Sequence, residues 1–133
     1  MESTNQSKSV SLAAKIVRYV LGLMFLVFGL NGFFNFLPMP PMEGAMQTYM
    51  DGMVASAYFL PLLKICQVLT GVLLLTGMYV PLALSILLPI TLNIVLLHAA
   101  IDPSGLGMGV FVFVANVFLI WVNKESFKGI LTR

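Results

Sequence analysis

Four long and nearly uninterrupted apolar runs constrain this chain more than any other feature of its sequence. They extend over about residues 12–37, 59–79, 82–99 and 107–122. A helix needs roughly 20 mainly apolar residues to cross the hydrocarbon core of a bilayer, whereas the strands of a membrane barrel are about half as long and alternate with polar positions. The runs therefore predict an all-α polytopic membrane protein, an antiparallel bundle of four transmembrane helices in one membrane domain.

The composition indicates that lipid rather than water surrounds the chain. Hydrophobic residues make up 59% of the sequence and charged residues 9%, whereas charged residues make up about 25% of a typical soluble domain. The net charge of +2, without a dense basic patch, argues against a nucleic-acid partner. The lipid bilayer is the expected partner.

The segments outside the apolar runs are short, with one exception. The exception is the connection at 38–57, where the prolines of PMPPMEG interrupt the helix. Methionines at helical spacing predict a short interfacial helix over about residues 42–57, with an irregular loop as the alternative. Residues 1–11 are polar and are predicted to be disordered or interfacial.

The distribution of basic residues predicts the orientation in the membrane. Six of the seven lie on the face that carries both termini: Lys8, Lys15, Arg18, Lys124, Lys128 and Arg133. The positive-inside rule places such a face in the cytoplasm. We therefore expect a multi-pass protein with cytoplasmic N and C termini.

Polar side chains within the apolar runs are the candidate functional residues, because placing them in lipid costs free energy. Those in the outer halves of the runs are Asn31, Asn35, Lys64, Gln67, Asn93 and His98. If these side chains converge between the helices, they form an outer-facing ligand pocket beneath the connection at 38–57. The prediction is a ligand-binding site made of these six residues.

Each of these residues also has a purely structural interpretation. The amides can form hydrogen bonds between helices, and Lys64 can extend to the lipid head groups. Alternatively, Lys64 can pair with Glu43, Asp51 or Asp102. His98 can simply cap the end of a helix.

The sequence predicts neither catalytic residues nor a metal site. It contains no set of nucleophile, base and acid, and His98 and Cys66 are its only histidine and cysteine. These two residues cannot supply the ligands of a zinc, haem or iron–sulfur site. We expect no covalently bound cofactor and no independent catalytic activity.

Several segments together resemble the bacterial DoxX family of membrane proteins over about residues 15–128. These are FLVFGLNGFFNFLPMPP in the first run, PLLKICQVLTGVLLL and then MYVPLAL around the second, and LPITLNIVLLH before a Pro-Ser-Gly turn. The resemblance implies a four-helix bundle in the bacterial inner membrane. It also suggests quinone as a cofactor, because the family is named after a small subunit linked to a thiosulfate:quinone oxidoreductase or a terminal quinol oxidase. Eukaryotic proteins of similar fold include an assembly chaperone for acetylcholine receptors.

The sequence departs from its relatives at two positions. Relatives often carry glutamate where this chain has Gln67 and Asn116. An amide can form a hydrogen bond with a quinone carbonyl, but it cannot carry a proton. This difference weakens a proton-coupled redox mechanism.

The first functional hypothesis is a small redox-associated subunit in which Lys64 and His98 donate hydrogen bonds to a quinone-like head group. The alternative is a non-enzymatic assembly or structural partner of a larger membrane complex, with the methionine-rich segment 38–57 as its contact surface. A small-solute permease is disfavoured because the inner halves of the runs have little polar lining. A homo-oligomer is compatible with each hypothesis.

Overall fold

The computed structural model describes residues 2–36 and 42–131, and regular secondary structure in these two ranges is entirely helical. This confirms the all-α class. The helices are α1 (Glu2–Phe34), α2 (Gly44–Ala55), α3 (Phe59–Thr76), α4 (Val80–Ala100), α5 (Leu106–Val122) and α6 (Lys124–Leu131), with a 3₁₀ turn at Pro103–Gly105. The predicted end of the first run at residue 37, the prolines that follow it and Arg133 lie outside the described residues.

Within the described ranges, four helical segments are long and apolar enough to cross a membrane, with mean hydropathies between 1.9 and 2.3. They are Ser9–Phe34, Phe59–Thr76, Val80–Ala100 and Pro103–Val122. These segments confirm the prediction of a polytopic membrane protein with four spans.

The turn between α3 and α4 differs by a few residues from the sequence prediction. The backbone adopts left-handed φ values of 76° at Gly77 and 50° at Tyr79. Gly77 therefore ends α3 at Thr76, since a left-handed residue directly after a helix cannot continue it. Pro81 then lies in the first turn of α4, where its missing N–H costs no helical hydrogen bond.

The N-terminal segment also differs from the prediction. Residues 2–11 are helical and continuous with the first span, so of the two predicted alternatives, disordered or interfacial, the disordered one is wrong. The segment contains no proline, and the first glycine of the chain is Gly22. Nothing in the sequence therefore interrupts the helix before it enters the apolar run.

Helices α1 and α3 form the most extensively packed helix pair of the described residues, and glycines allow their approach. A Cβ atom at Gly71 of α3 would lie 2.6 Å from the backbone nitrogen of Leu26 and 2.8 Å from the carbonyl oxygen of Gly22. A Cβ at Gly29 of α1 would lie 2.9 Å from the nitrogen of Val68. Because these are backbone contacts, any side chain at Gly71 would push the two helices apart.

A buried polar link joins α4 to α5 near the middle of the bundle. The Thr91 hydroxyl donates to Asn116 Oδ1 at 2.9 Å, and Asn116 Nδ2 donates to the carbonyl oxygen of Leu84 at 3.3 Å. Both polar side chains are fully buried. Asn116 thus serves as the interhelical hydrogen-bonding group that the sequence offered as a structural interpretation of its amides.

Candidate functional site

A cavity of about 290 Å³ lies between the four spans and α2. Its wall is mainly apolar, and its polar side chains are Lys64, Gln67 and His98. The apolar lining comes from Met24, Phe25, Phe28, Met42, Met46, Met50, Ile94, Leu97, Met108 and Val112. We call this space the Lys64 cavity.

Lys64 reaches the cavity by lying across α1. Its side-chain carbons pack against Gly32, where an added Cβ would lie 2.6 Å from both Cγ and Cδ of the lysine. The ammonium then lies 3.5 Å from the carbonyl oxygen of Phe28 and 3.4 Å from Gln67 Oε1. Both contacts are long for an ammonium, since charge-assisted hydrogen bonds are usually about 2.7–2.9 Å.

The expected ion pairs of Lys64 do not form. Within residues 2–36 and 42–131, no carboxylate lies within 4.0 Å of the Lys64 ammonium, so the proposed pairing with Glu43, Asp51 or Asp102 is wrong. Asp51 instead accepts a hydrogen bond from Gln47 at 2.8 Å, and Asp102 accepts one from the hydroxyl of Ser104. The Lys64 ammonium therefore contacts two neutral oxygens, and it can still donate a hydrogen bond to a ligand.

Gln67 lies one turn after Lys64 on the same face of α3 and is 7% exposed. Its carbonyl oxygen accepts from the lysine, whereas its amide nitrogen has no hydrogen-bond acceptor in the described part of the chain. This nitrogen is a second donor available to a molecule in the Lys64 cavity.

The hydrogen bonding of His98 determines which of its ring nitrogens carries the proton. Nδ1 lies 3.1 Å from the backbone carbonyl oxygen of Asp102. Because a carbonyl oxygen only accepts, Nδ1 must carry the proton in this contact, and Nε2 of the neutral ring is an acceptor. The sequence-based expectation that His98 donates to a ligand therefore holds only for the protonated ring.

The ring of His98 is held in place by Gly105, because a Cβ atom at this position would overlap the imidazole. The turn that follows α4 therefore packs directly on the ring. This contact and the bond to Asp102 position the ring at the cavity wall.

The other three predicted site residues are not part of the cavity lining. Asn31 is buried on α1, and its backbone oxygen accepts from the N–H of Asn35, a left-handed residue with φ 51° just after the helix. Asn93 is exposed and donates to the hydroxyl of Tyr49 at 3.3 Å. Asn93 therefore attaches α2 to α4, and the structure brings only Lys64, Gln67 and His98 together.

Sequence reasoning missed the methionine wall of the cavity. Met46 and Met50 are four residues apart and lie on one side of α2, and Met42 lines the cavity from the segment just before this helix. This side faces the bundle, and Met46 is only 8% exposed. The spacing was visible in the sequence, but it did not reveal whether the methionines face a partner or the chain's own interior.

The fold and the cavity define a class, a multi-pass membrane protein whose spans enclose a mostly apolar space with a few polar groups. The model of one family, DoxX, matches residues 13–100. The chain therefore belongs to the DoxX family, as the resemblance of its segments implied. The matched residues include Lys64, Gln67 and His98. Neither a curated protein nor a solved structure matches the chain.

Proposed function

We propose that this protein is a small redox-associated membrane subunit that binds the head group of a quinone-like, lipid-soluble molecule in the Lys64 cavity. The observation that carries the proposal is the position of the Lys64 ammonium. Lys64 belongs to the span Phe59–Thr76, and its ammonium lies in a mainly apolar cavity, where its contacts among the described residues are two long ones to neutral oxygens. A ligand oxygen offers this ammonium a stronger hydrogen bond than either present partner.

The chemistry of the wall suits a flat head group with oxygens at two edges. One oxygen accepts from Lys64 and from the amide nitrogen of Gln67, while the ring packs against Phe25, Phe28 and the methionine thioethers. The volume of about 290 Å³ is at the lower end of the roughly 300–1,000 Å³ typical of ligand pockets. This size suits a head group whose apolar tail extends into the surrounding lipid.

His98 gives the proposed site a preference between redox forms. While the ring is neutral, Nε2 accepts a hydrogen bond, so it favours the hydroxyl of a reduced head group over the carbonyl of an oxidised one. The protein is proposed to bind rather than to transform its ligand, because Gln67 is an amide and cannot relay the released protons. The redox association itself comes from the resemblance to the DoxX family, which is named after a small subunit linked to a thiosulfate:quinone oxidoreductase or a terminal quinol oxidase.

The binding test is an isothermal titration of the detergent-purified protein with a decyl-substituted benzoquinone and with its reduced form. Lys64→Met keeps the length of the side chain and removes its charge, and we expect the dissociation constant to rise roughly tenfold or more. Lys128→Met is the matched control, because Lys128 pairs at the surface with Glu125 at 2.8 Å and does not line the cavity. His98→Leu is expected to abolish the preference for the reduced form.

Two results would overturn the proposal. One is an equal dissociation constant for the Lys64→Met protein and the Lys128→Met protein, with both proteins retaining the helical circular dichroism of the parent. The other is a native extract in which the chain co-purifies with a stoichiometric protein partner and binds neither quinone form. The second result would favour the assembly or structural role, although Met46 faces the cavity and is not available as a contact surface.

A further inference from the structure

A second cavity, of about 270 Å³, lies at the opposite end of the bundle, where the membrane-spanning part of α1 begins and α5 ends. Two of its lining residues are cations, Lys15 and Arg18, both from α1. The remaining lining is neutral and includes Ser11, Val80 and Asn123. We call this space the basic cavity, and it shares no lining residue with the Lys64 cavity.

The side chain of Arg18 is positioned by contacts within the protein itself. Its Nη1 atom donates to the carbonyl oxygen of Leu74 at 2.7 Å, in the last turn of α3. The guanidinium carbon also lies 4.8 Å from the centre of the Tyr19 ring. A guanidinium has five N–H donors, and this is its single hydrogen bond within the described residues, so most of its donors remain available.

Lys15 provides a second positive charge one turn earlier on the same face of α1. Its side chain is exposed, and no carboxylate of the described residues lies within 4.0 Å of its ammonium. Val80, which also lines the cavity, is the first residue of α4, so the partial positive charge of that helix start adds to the field. Among the residues that the structure describes, the lining of the basic cavity thus includes two cations and no acidic side chain.

The surroundings of the basic cavity match the depth of lipid head groups. The aromatic side chains of Tyr19 and Trp121 are exposed at this end of the bundle, and such side chains favour the membrane–water interface. The ammonium of Lys124 lies 5.3 Å from the centre of the Trp121 ring. Basic pockets between membrane spans at this depth are the sites where acidic lipid head groups bind.

We infer that the basic cavity binds the phosphate group of an anionic phospholipid. The planar guanidinium of Arg18 donates in parallel to two phosphate oxygens, and Lys15 contributes a second charge-assisted hydrogen bond. Bound in this way, the lipid links α1 to the start of α4 and the end of α5 at the face of the membrane that carries Lys15 and Arg18.

The test measures lipid retention by native mass spectrometry of the full-length protein in mixed micelles with phosphatidylglycerol or phosphatidylcholine. The parent protein is expected to retain phosphatidylglycerol in preference to phosphatidylcholine. Lys15→Gln is expected to raise the apparent dissociation constant for phosphatidylglycerol about fivefold. The matched control Lys128→Gln removes the same charge from an exposed position near the end of the chain and is expected to leave it unchanged.

A second variant tests the role of the Arg18 guanidinium, and a soluble competitor distinguishes a lipid phosphate from free phosphate. Arg18→Lys keeps the charge and removes the planar fork, so it is expected to weaken phosphatidylglycerol retention without removing it. Inorganic phosphate at millimolar concentration is expected not to displace the lipid, and displacement would identify a free phosphate site instead. Equal retention of the two lipids, or equal effects of Lys15→Gln and Lys128→Gln, would overturn the inference.

Discussion

The close contact between α1 and α3 makes Gly71 a position where one added methyl group has a large expected effect. An alanine Cβ there would lie 2.6 to 2.9 Å from three backbone atoms, namely the nitrogen and Cα of Leu26 and the carbonyl oxygen of Gly22. Ordinary contacts between such atoms are about 3.5–4.0 Å. Because backbone atoms cannot rotate away, Gly71→Ala requires the two helices to move apart by roughly 1 Å at this point.

The expected loss of stability follows from this overpacking. Inserting a methyl group into a tightly packed interface costs about 1–3 kcal/mol. Gly107→Ala is the matched control, because a Cβ atom at Gly107 would meet no atom within 4 Å. That variant is expected to be neutral or to stabilise the protein by up to about 1 kcal/mol through helix propensity. The two variants should therefore differ by roughly 1–4 kcal/mol in the free energy of unfolding.

The assay is unfolding of the micelle-bound protein by sodium dodecyl sulfate, followed by far-ultraviolet circular dichroism. Ligand affinity provides a second measurement, because Lys64 packs across Gly32 in the same helix interface and must move when α1 and α3 separate. Gly71→Ala should therefore also weaken quinone binding, while Gly107→Ala should not. Equal unfolding free energies for the two variants would refute the packing argument.

Three further predictions concern single contacts. Gly105→Ala should displace the ring of His98 and reduce the preference for the reduced quinone in the binding titration, with little change in the unfolding midpoint. Asn116→Ala should lower the free energy of unfolding by about 1–2 kcal/mol, because it breaks both buried hydrogen bonds between α4 and α5. Tyr49→Phe should remove the link to Asn93, so that amide hydrogen exchange accelerates in α2 and stays unchanged in α4.

The number and approximate limits of the spans were predictable because run length alone decides whether a helix can cross a bilayer. The end of α3 and the start of α4 were harder to predict, because they depend on left-handed backbone at Gly77 and Tyr79. The glycine is a recognisable signal for such a conformation, whereas the tyrosine is not. The helical start of α1 was missed because polar composition was taken to indicate a disordered or interfacial segment.

The candidate site was predictable only in part. Lys64 and Gln67 are three residues apart on one helix, so their common face followed from helical geometry. The rotation of each span about its axis did not follow, because helices that are apolar on every side carry little periodic signal. Asn93 was therefore assigned to the pocket, although it binds Tyr49 outside it. The packing of the Lys64 side chain against Gly32 involves both α1 and α3, so it could not be predicted from the sequence of either helix alone.

Lys64, Gln67 and His98 are proposed to enclose a space that a ligand head group occupies. The most direct measurement is a crystal structure grown from a lipid mesophase that contains the decyl-substituted benzoquinone. The expected result is density for the head group, with one oxygen about 2.7–3.2 Å from the Lys64 ammonium. The contrary result is a lysine extended to the membrane surface, with methionine side chains filling the space between the helices.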